Sequence, residues 1–560
     1  MVRLLEPQSS AGPPVRRLSD EALRDLEIER IVEAIAISPQ GRRVVERALT
    51  HLPLDPAVSR YRQETFRFLR EHPALRRVLR EIMPRMRELT VFSHSHRSAD
   101  SPFLSAIWKI GELDLYVECL DTLHEAFTAH PPDGAGPSDG ATALSKLRDV
   151  VAERRDSEAV EALRRELPSL KEGLRRRRSV TIGVNLDDRL RPVEAKLVGV
   201  HEHPFKESGL LSGFFRSLRN QDDRAVSAPL HRTPTASDGR MQYDTRLPLS
   251  PLFQDLETIM RSTSKKILGK IDRFLNVKTR VLQDLPDELE FFIGAADLAD
   301  RLEEAELPVG LPELTSVAER TLSGAEVYNL ALALRRLMAE GAERNGIVTN
   351  NIGISNRTIG AVITGPNRGG KTTYLQAVGQ MQVLAQAGLF VPATEARISP
   401  VDYLATHFPQ REHSATELGR FGEEIARLST MFDTLSAESL VLLNESFAST
   451  NPTEAIAFGR EVLKALGEAG TRVLVATHLL EMAHSATSLG PFVAMTAEVE
   501  HTEEGAHRTF RIVPGLPGDT SYAYDLVRRA GMTYEQLSER LRRRGVVSNQ
   551  DPRSSENPEE

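Results

Sequence analysis

The stretch Gly365 to Thr372 reads G-P-N-R-G-G-K-T, and its residue types are suited to holding a polyphosphate. Gly365, Gly369 and Gly370 let the backbone curl with its N–H groups inward, Lys371 brings a point charge to the outer phosphates, and the Thr372 hydroxyl suits Mg²⁺. Pro366, Asn367, Arg368 and Thr373 complete the predicted ATP-binding set. A second feature lies downstream in "SLVLLNESFAST", where Glu445 follows an apolar run. A carboxylate at the end of a buried strand can orient or deprotonate a water, so Glu445 is the candidate catalytic residue. Asn444 precedes it, where an acidic residue would be usual. The amide keeps an oxygen for a metal-bound water but loses a full charge, so Thr372 and Asn444 are expected to hold Mg²⁺ weakly.

These residues need rigid elements to aim them. The strand-like "GAVIT" precedes the loop and the helix-like "TTYLQAVGQMQVLAQAG" follows it, the flanks such a loop requires. "GAVIT", "SLVLL" and "VLVAT" are short apolar runs between helical patterns, which predicts parallel strands of an α/β domain.

Further upstream the pattern changes. Residues 1–18 read as a flexible arm and 19–150 as a helical core, opened by a capping Ser19 and an apolar stripe through Leu23, Leu26, Ile28 and Ile31. Residues 151–320 read as two long helical segments around a small β-rich insertion. The insertion centres on "SVTIGVNLDDRLRPVEAKLVGVHEH", whose alternation around Asp187 and Asp188 predicts a hairpin. From Leu252, apolar residues including Leu256, Ile259, Ile267, Ile271 and Phe274 predict an amphipathic helix out to Leu285. Another helix is expected over 324–340, the α/β domain over 321–543, and a disordered tail over 544–560. The fold class is therefore multidomain: a mainly helical region with a small β-rich insertion, followed by an α/β P-loop domain.

Composition narrows the classes. The chain has 560 residues with 40% hydrophobic content, enough for more than one buried core. With 71 basic and 79 acidic residues the net charge is −8, so any nucleic-acid contact must be local. The single Cys119 excludes a disulfide framework. No signal-like or membrane-spanning run is present, which predicts a cytoplasmic protein with no membrane partner.

The motifs taken together resemble the MutS family of DNA mismatch-repair ATPases. "TGPNRGGKTTYL" is similar to that family's T-G-P-N-M-G-G-K-S-T loop, with Arg368 for Met and Thr372 for Ser. "IVTNNIGI" resembles the segment leading into it, with Asn351 in place of Asp. "RFGEEIARLSTMFDTLSAESLVLLNESFASTNPTEA", "VLVATHLLEMA" and "TFRIVPGLPGDTSYAYDLVRRAGMTYEQLSERL" are similar to the later segments of the same domain.

The resemblance implies an ABC-type ATPase domain, a dimer formed through it, and His478 as a catalytic contact to the γ-phosphate or its water. It also implies that Arg420, Phe421 and Glu424 reach a neighbouring subunit's nucleotide, although Gly419 and Arg420 stand where the family has Ser-Thr. The implied partner is duplex or branched DNA, held by a clamp on lever helices, with location in the cytoplasm and association with the nucleoid. Arg175, Arg176, Arg177 and Arg178, with Arg189, Arg191 and Lys196, are candidate phosphate contacts. The tripeptides "FKE" and "FGE" do not follow an N-terminal mixed fold, so no mismatch-reading wedge is expected. The alternative from another class is a nucleotide-gated protein-interaction switch with little or no hydrolysis.

Overall fold

The computed structural model describes residues 3–7, 16–98, 102–132, 143–175, 179–186, 188, 192–201, 271–274, 277–338, 346–409, 419–447, 449–502, 505–516 and 530–544. The chain forms two compact units, Met1–Gln8 with Glu64–Ile293, and Ser9–Gln63 with Gly294–Glu560.

The elements begin with β1 (Arg16–Arg17), α1 (Asp20–Asp25), α2 (Ile28–Ile35), α3 (Pro39–Thr50) and β2 (His51–Leu52). Ser19 caps α1 by accepting from the Ala22 N–H, as the sequence predicts. The apolar stripe is divided between α1 and α2, because Glu27 adopts a left-handed conformation at φ 52°.

The first unit is helical. After α4 (Pro56–Glu71), which crosses the unit boundary, come α5 (Pro73–Ser98), α6 (Pro102–Ala129), α7 (Ala143–Arg155) and α8 (Glu158–Arg175). Ile110 and Leu113 of α6 bury against Leu163, Leu167 and Leu170 of α8, together with Ile271 and Phe274. The predicted hairpin is present: β3 (Ser179–Leu186) pairs antiparallel with β4 (Pro192–His201). Leu256, Ile259 and Ile267 of the predicted long helix lie outside the described residues. Within them Ile271 is helical, but the helix does not run on to Leu285: Asp272–Phe274 and Thr279–Leu282 are 3₁₀ turns, and α9 (Leu285–Glu304) starts afterwards. Ile271 and Phe274 are both buried in the core, Ile271 as a helical residue and Phe274 in the first of these turns.

The second unit holds the glycine loop. It contains β5 (Glu313–Leu314), β6 (Leu322–Val327), α10 (Leu330–Met338), β7 (Asn350–Ile354), β8 (Gly360–Thr364), α11 (Lys371–Ala387), β9 (Glu395–Ile398) and β10 (Leu404–His407). It continues with α12 (Gly419–Phe432), β11 (Leu440–Asn444), α13 (Pro452–Ala469), β12 (Arg472–Ala476), α14 (Leu480–Leu489), β13 (Phe492–Thr502), β14 (Gly505–Pro514) and α15 (Tyr534–Arg543). The main sheet runs β10-β11-β12-β8-β13-β14, parallel except for the antiparallel edge strand β14. Every residue of β8, β11 and β12 is buried, which is why these strands read as continuous apolar runs.

A smaller sheet, β5-β9-β6-β7, corrects the helix expected at 324–340. Leu322–Val327 is a strand, paired with β7 on one side and β9 on the other, and the helix starts only at Leu330. Pairing on both flanks supplies backbone partners that local propensity does not register.

Residues 16–63, read from sequence as arm and helical core, pack within this second unit. Helix α11 is almost wholly buried and carries three buried glutamines. Gln380 donates to the Leu26 carbonyl and accepts from the Leu330 N–H. Gln386 donates to the Pro53 and Val401 carbonyls at 3.0 and 2.9 Å and accepts from the Val401 N–H at 3.1 Å. Gln386→Leu keeps side-chain volume but orphans these buried groups. It is expected to cost roughly 2–4 kcal/mol, read as a lowered urea midpoint of this unit.

Candidate nucleotide site

Three neighbouring parallel strands bring their C-terminal ends to one edge. The Thr477 N–H donates to the Ile363 carbonyl at 2.9 Å, and the Glu445 N–H to the Ala476 carbonyl at 2.7 Å. Hence the glycine loop after β8, Asn444 and Glu445 after β11, and His478 after β12 meet where open parallel sheets hold ligands.

The loop runs from Gly365 into the first turn of α11. Gly365 lies at φ 122°, and a Cβ there would come within 2.9 Å of the Ala497 side chain. Gly370, at φ 96°, opens α11, leaving the helix's first N–H groups facing the loop. Asn367 and Arg368 are exposed at its crest. Lys371 is buried, and its ammonium donates to the Gly365 and Pro366 carbonyls at 2.8 and 3.2 Å. Burial lowers its pKa, opposed by the Glu445 carboxylate 3.5 Å away. The Thr372 hydroxyl donates to the Asn444 amide oxygen at 3.0 Å. Two neutral oxygen donors, side by side at the end of the phosphate cradle, fit a hard cation such as Mg²⁺.

Glu445 bridges this assembly. One oxygen faces Lys371, and the other accepts from the His478 backbone N–H at 3.2 Å and lies 2.7 Å from its Nδ1. His478 is half-exposed, so its ring stands at the open side of the site. The turn carrying Glu445 is strained, with Glu445 at φ 49° and Phe447 at φ 71°. Such non-glycine left-handed residues cost about 1–3 kcal/mol each and persist where surroundings over-determine them.

A cavity of about 500 Å³ adjoins the loop. Tyr328, Asn329, Arg336, Val348, Asn350 and Phe510 line it beyond the loop residues and Glu445. The sequence reading did not single out these wall residues. "IVTNN" and "TFRIVPG" belong to the motif segments, but nothing in their composition marks Val348 or Phe510 as wall residues. Phe510 is half-exposed and left-handed at φ 60°; Asn350 pins it by donating to its carbonyl and accepting from the Ile512 N–H.

Other predicted residues lie elsewhere. Phe421 and Glu424 sit near the start of α12, and Glu424 is buried, accepting from the Phe447 N–H and the Ser449 hydroxyl. Arg420 begins the same helix, with its side chain outside the described residues. Arg175 ends α8, its side chain also outside them, as are Arg176, Arg177 and Arg178. The side chains of Arg189, Arg191 and Lys196 lie outside them too. Among the described residues no group of His, Cys, Asp and Glu is arranged to hold a metal, and no helix is long and apolar enough to cross a membrane.

A glycine loop between a buried parallel strand and a helix N-terminus, with a carboxylate and a histidine at neighbouring strand ends, is the architecture of the P-loop class. Comparison with known proteins narrows it. The family model for MutS domain V matches residues 361–540, and that for the MutS2 N-terminal domain matches residues 54–305. Both models describe MutS-type domains, so these two segments of the chain are MutS-like. It is 33% identical over 275 residues to Endonuclease MutS2 of Thermomicrobium roseum, covering 48% of this chain and 34% of that protein. It is 26% identical over 352 residues to Endonuclease MutS2 of Lacticaseibacillus casei, covering 62% and 43%. The matched stretches thus span less than half the length of these curated relatives.

His407, at the end of β10, lies directly under the Glu445 turn, its Nδ1 2.8 Å from the Ser446 hydroxyl. Burial, and then the nearby Arg427 guanidinium, pull its pKa down to about 4. Its folded value is below the unfolded value of about 6.5, so its contribution to stability is complete above pH 6.5 and is lost as pH falls through 4. Denaturant titrations should show the native chain losing about 3 kcal/mol more than His407→Gln between pH 7 and 4.

Proposed function

We propose that this chain is a Mg²⁺-dependent ATPase of the DNA-repair or recombination class, which couples ATP binding and hydrolysis to movement on duplex or branched DNA. The observation that carries the reading is Glu445 held between Lys371 and His478, beside the paired oxygens of Thr372 and Asn444. The loop from Gly365 to Thr373 cradles the phosphates with backbone N–H groups, and Lys371 leaves its loop carbonyls for phosphate oxygens. Glu445 accepts a proton from the attacking water, and His478 keeps the carboxylate aimed. Thr372 and Asn444 would hold Mg²⁺, which would neutralise phosphate charge. The adjoining cavity is large enough for a nucleoside, with Phe510 as an aromatic wall.

In this reading the helices and hairpin of 151–320 serve as levers and clamp, the chain dimerises through its ATPase domains, and it works in the cytoplasm on the nucleoid. DNA is recognised by shape and backbone rather than by reading a mispair. The relatives are named endonucleases, but the proposed site calls for nucleotide hydrolysis alone. One observation favours a second reading, a nucleotide-gated protein-interaction switch: Asn444 leaves the metal position without the negative charge of an Asp.

Steady-state hydrolysis separates the two. Glu445→Gln should cut turnover at least about 100-fold with nucleotide still bound, and Lys371→Ala should weaken nucleotide binding itself by about tenfold or more. Junction DNA should stimulate the native chain, with binding that falls steeply between low and moderate salt. Native turnover no higher than that of Lys371→Ala, with nucleotide bound, would leave the switch. Equal affinity for plain duplex and junction would end the branched-DNA preference.

Asn444→Asp restores the missing charge. Its half-maximal Mg²⁺ concentration in nucleotide binding should fall about three- to tenfold, given the preference of Mg²⁺ for carboxylate oxygen. An unchanged requirement would remove Asn444 from the metal site.

A further inference from the structure

The strained turn after β11 must be held by something, and its fastenings can be traced. Glu445 is tied at its own N–H to the Ala476 carbonyl, and Ser446 is tied through its hydroxyl to His407 of β10. The next restraints come from helix α12. One oxygen of the Glu424 carboxylate accepts from the Phe447 N–H at 3.2 Å, and the other accepts from the Ser449 hydroxyl. Glu424 is only 8% exposed, so this carboxylate is engaged inside its own subunit. An ionised acceptor makes stronger hydrogen bonds than a neutral one, and a buried one left without donors would be costly. Phe447 is itself left-handed and packs edge-to-face on Phe458 of α13.

We propose that Glu424 is a positioning residue for Glu445, a buried carboxylate on α12 that holds Phe447 and Ser449 within the same subunit so that Glu445 faces Lys371 and His478. This role replaces the contact to a neighbouring nucleotide that the motif resemblance implies for Glu424. It also makes α12 a direct mechanical link to the catalytic carboxylate: any displacement of the helix is felt at the turn. The inference rests on the hydrolytic reading of this site, and its test includes an arm that does not need hydrolysis.

The test compares Glu424→Ala, Glu424→Gln and Ser449→Ala in the full chain. Glutamine keeps an acceptor for the Phe447 N–H, and the Ser449 hydroxyl can turn to accept from its amide. Glu424→Ala should lower kcat at least about tenfold with nucleotide Kd within about threefold, and Glu424→Gln should recover most of that loss. Ser449→Ala, which removes one of the two contacts, should fall between them. In hydrogen–deuterium exchange the Phe447 amide should lose protection in Glu424→Ala and keep it in Glu424→Gln. Mixing Glu424→Ala with Lys371→Ala should restore no activity, because neither subunit then has a complete site. Restored activity in the mixture would mean that Glu424 acts on a neighbour and would overturn the proposal. So would a kcat within twofold of the native chain, or a kcat loss matched by an equal loss of nucleotide binding. If the native chain shows no turnover above Lys371→Ala, the hydrolytic reading fails and exchange alone decides. Unchanged protection at Phe447 in Glu424→Ala then overturns the inference.

Discussion

The pairing of β11, β12 and β8 in parallel register is the constraint on which the candidate site depends. Asn444 stands opposite Ala476, and Ala476 opposite Ile363, so the chain leaves three adjacent strands at nearly the same height. One residue of slip in β11 would move Glu445 along the sheet and turn its side chain to the opposite face. Parallel pairing is secured by burial on both faces, which explains the apolar runs Ala361–Ile363, Leu440–Leu443 and Val473–Ala476 and why polarity begins abruptly after them at Thr364, Asn444 and Thr477.

Around that edge the polar groups form a linked set rather than separate contacts. Lys371, Glu445 and His478 share one carboxylate, Thr372 shares Asn444, and His407 and Glu424 reach the same turn from β10 and α12. Behind it, Asn329 of the cavity wall donates to the Gln376 side-chain oxygen and the Thr373 carbonyl on α11, and Gln376 and Gln380 donate to the Asp25 and Leu26 carbonyls. Buried networks of this kind rigidify when every member is satisfied. The α11 glutamines thus connect the nucleotide loop to a segment more than 300 residues earlier in the chain.

Much of this was legible in the sequence where function requires fixed spacing. The glycine loop, its strand and helix, the two further strand runs, the Ser19 cap and the hairpin around Asp188 all have local signals, and the structure contains them. What was not legible depended on partners distant in sequence. The strand Leu322–Val327 is paired on both sides by segments 23 to 76 residues away, and its own residues carry no alternating β pattern. The apolar position Phe274 fits the helical period of the stretch from Leu252, but it lies in a short 3₁₀ turn, buried beside Ile271. The cavity wall was invisible for the same reason, since Tyr328, Asn350 and Phe510 become neighbours only once the sheets are assembled. Glu424 illustrates the same limit, because its motif gives its helix but not the direction its carboxylate takes.

Residues 16–53 precede both matched family segments, yet they form part of the second unit's interior. Leu26 is fully buried, lying where a Cβ on Gly379 would meet it, and Asp25 accepts from the Thr406 hydroxyl on β10. A recombinant fragment trimmed to the matched segments would therefore uncover one side of the very helix that the phosphate loop opens into. Dissecting this molecule by family boundaries would yield a P-loop domain with a wall missing, and a sticky or inactive fragment would reflect that cut rather than the chemistry of the site.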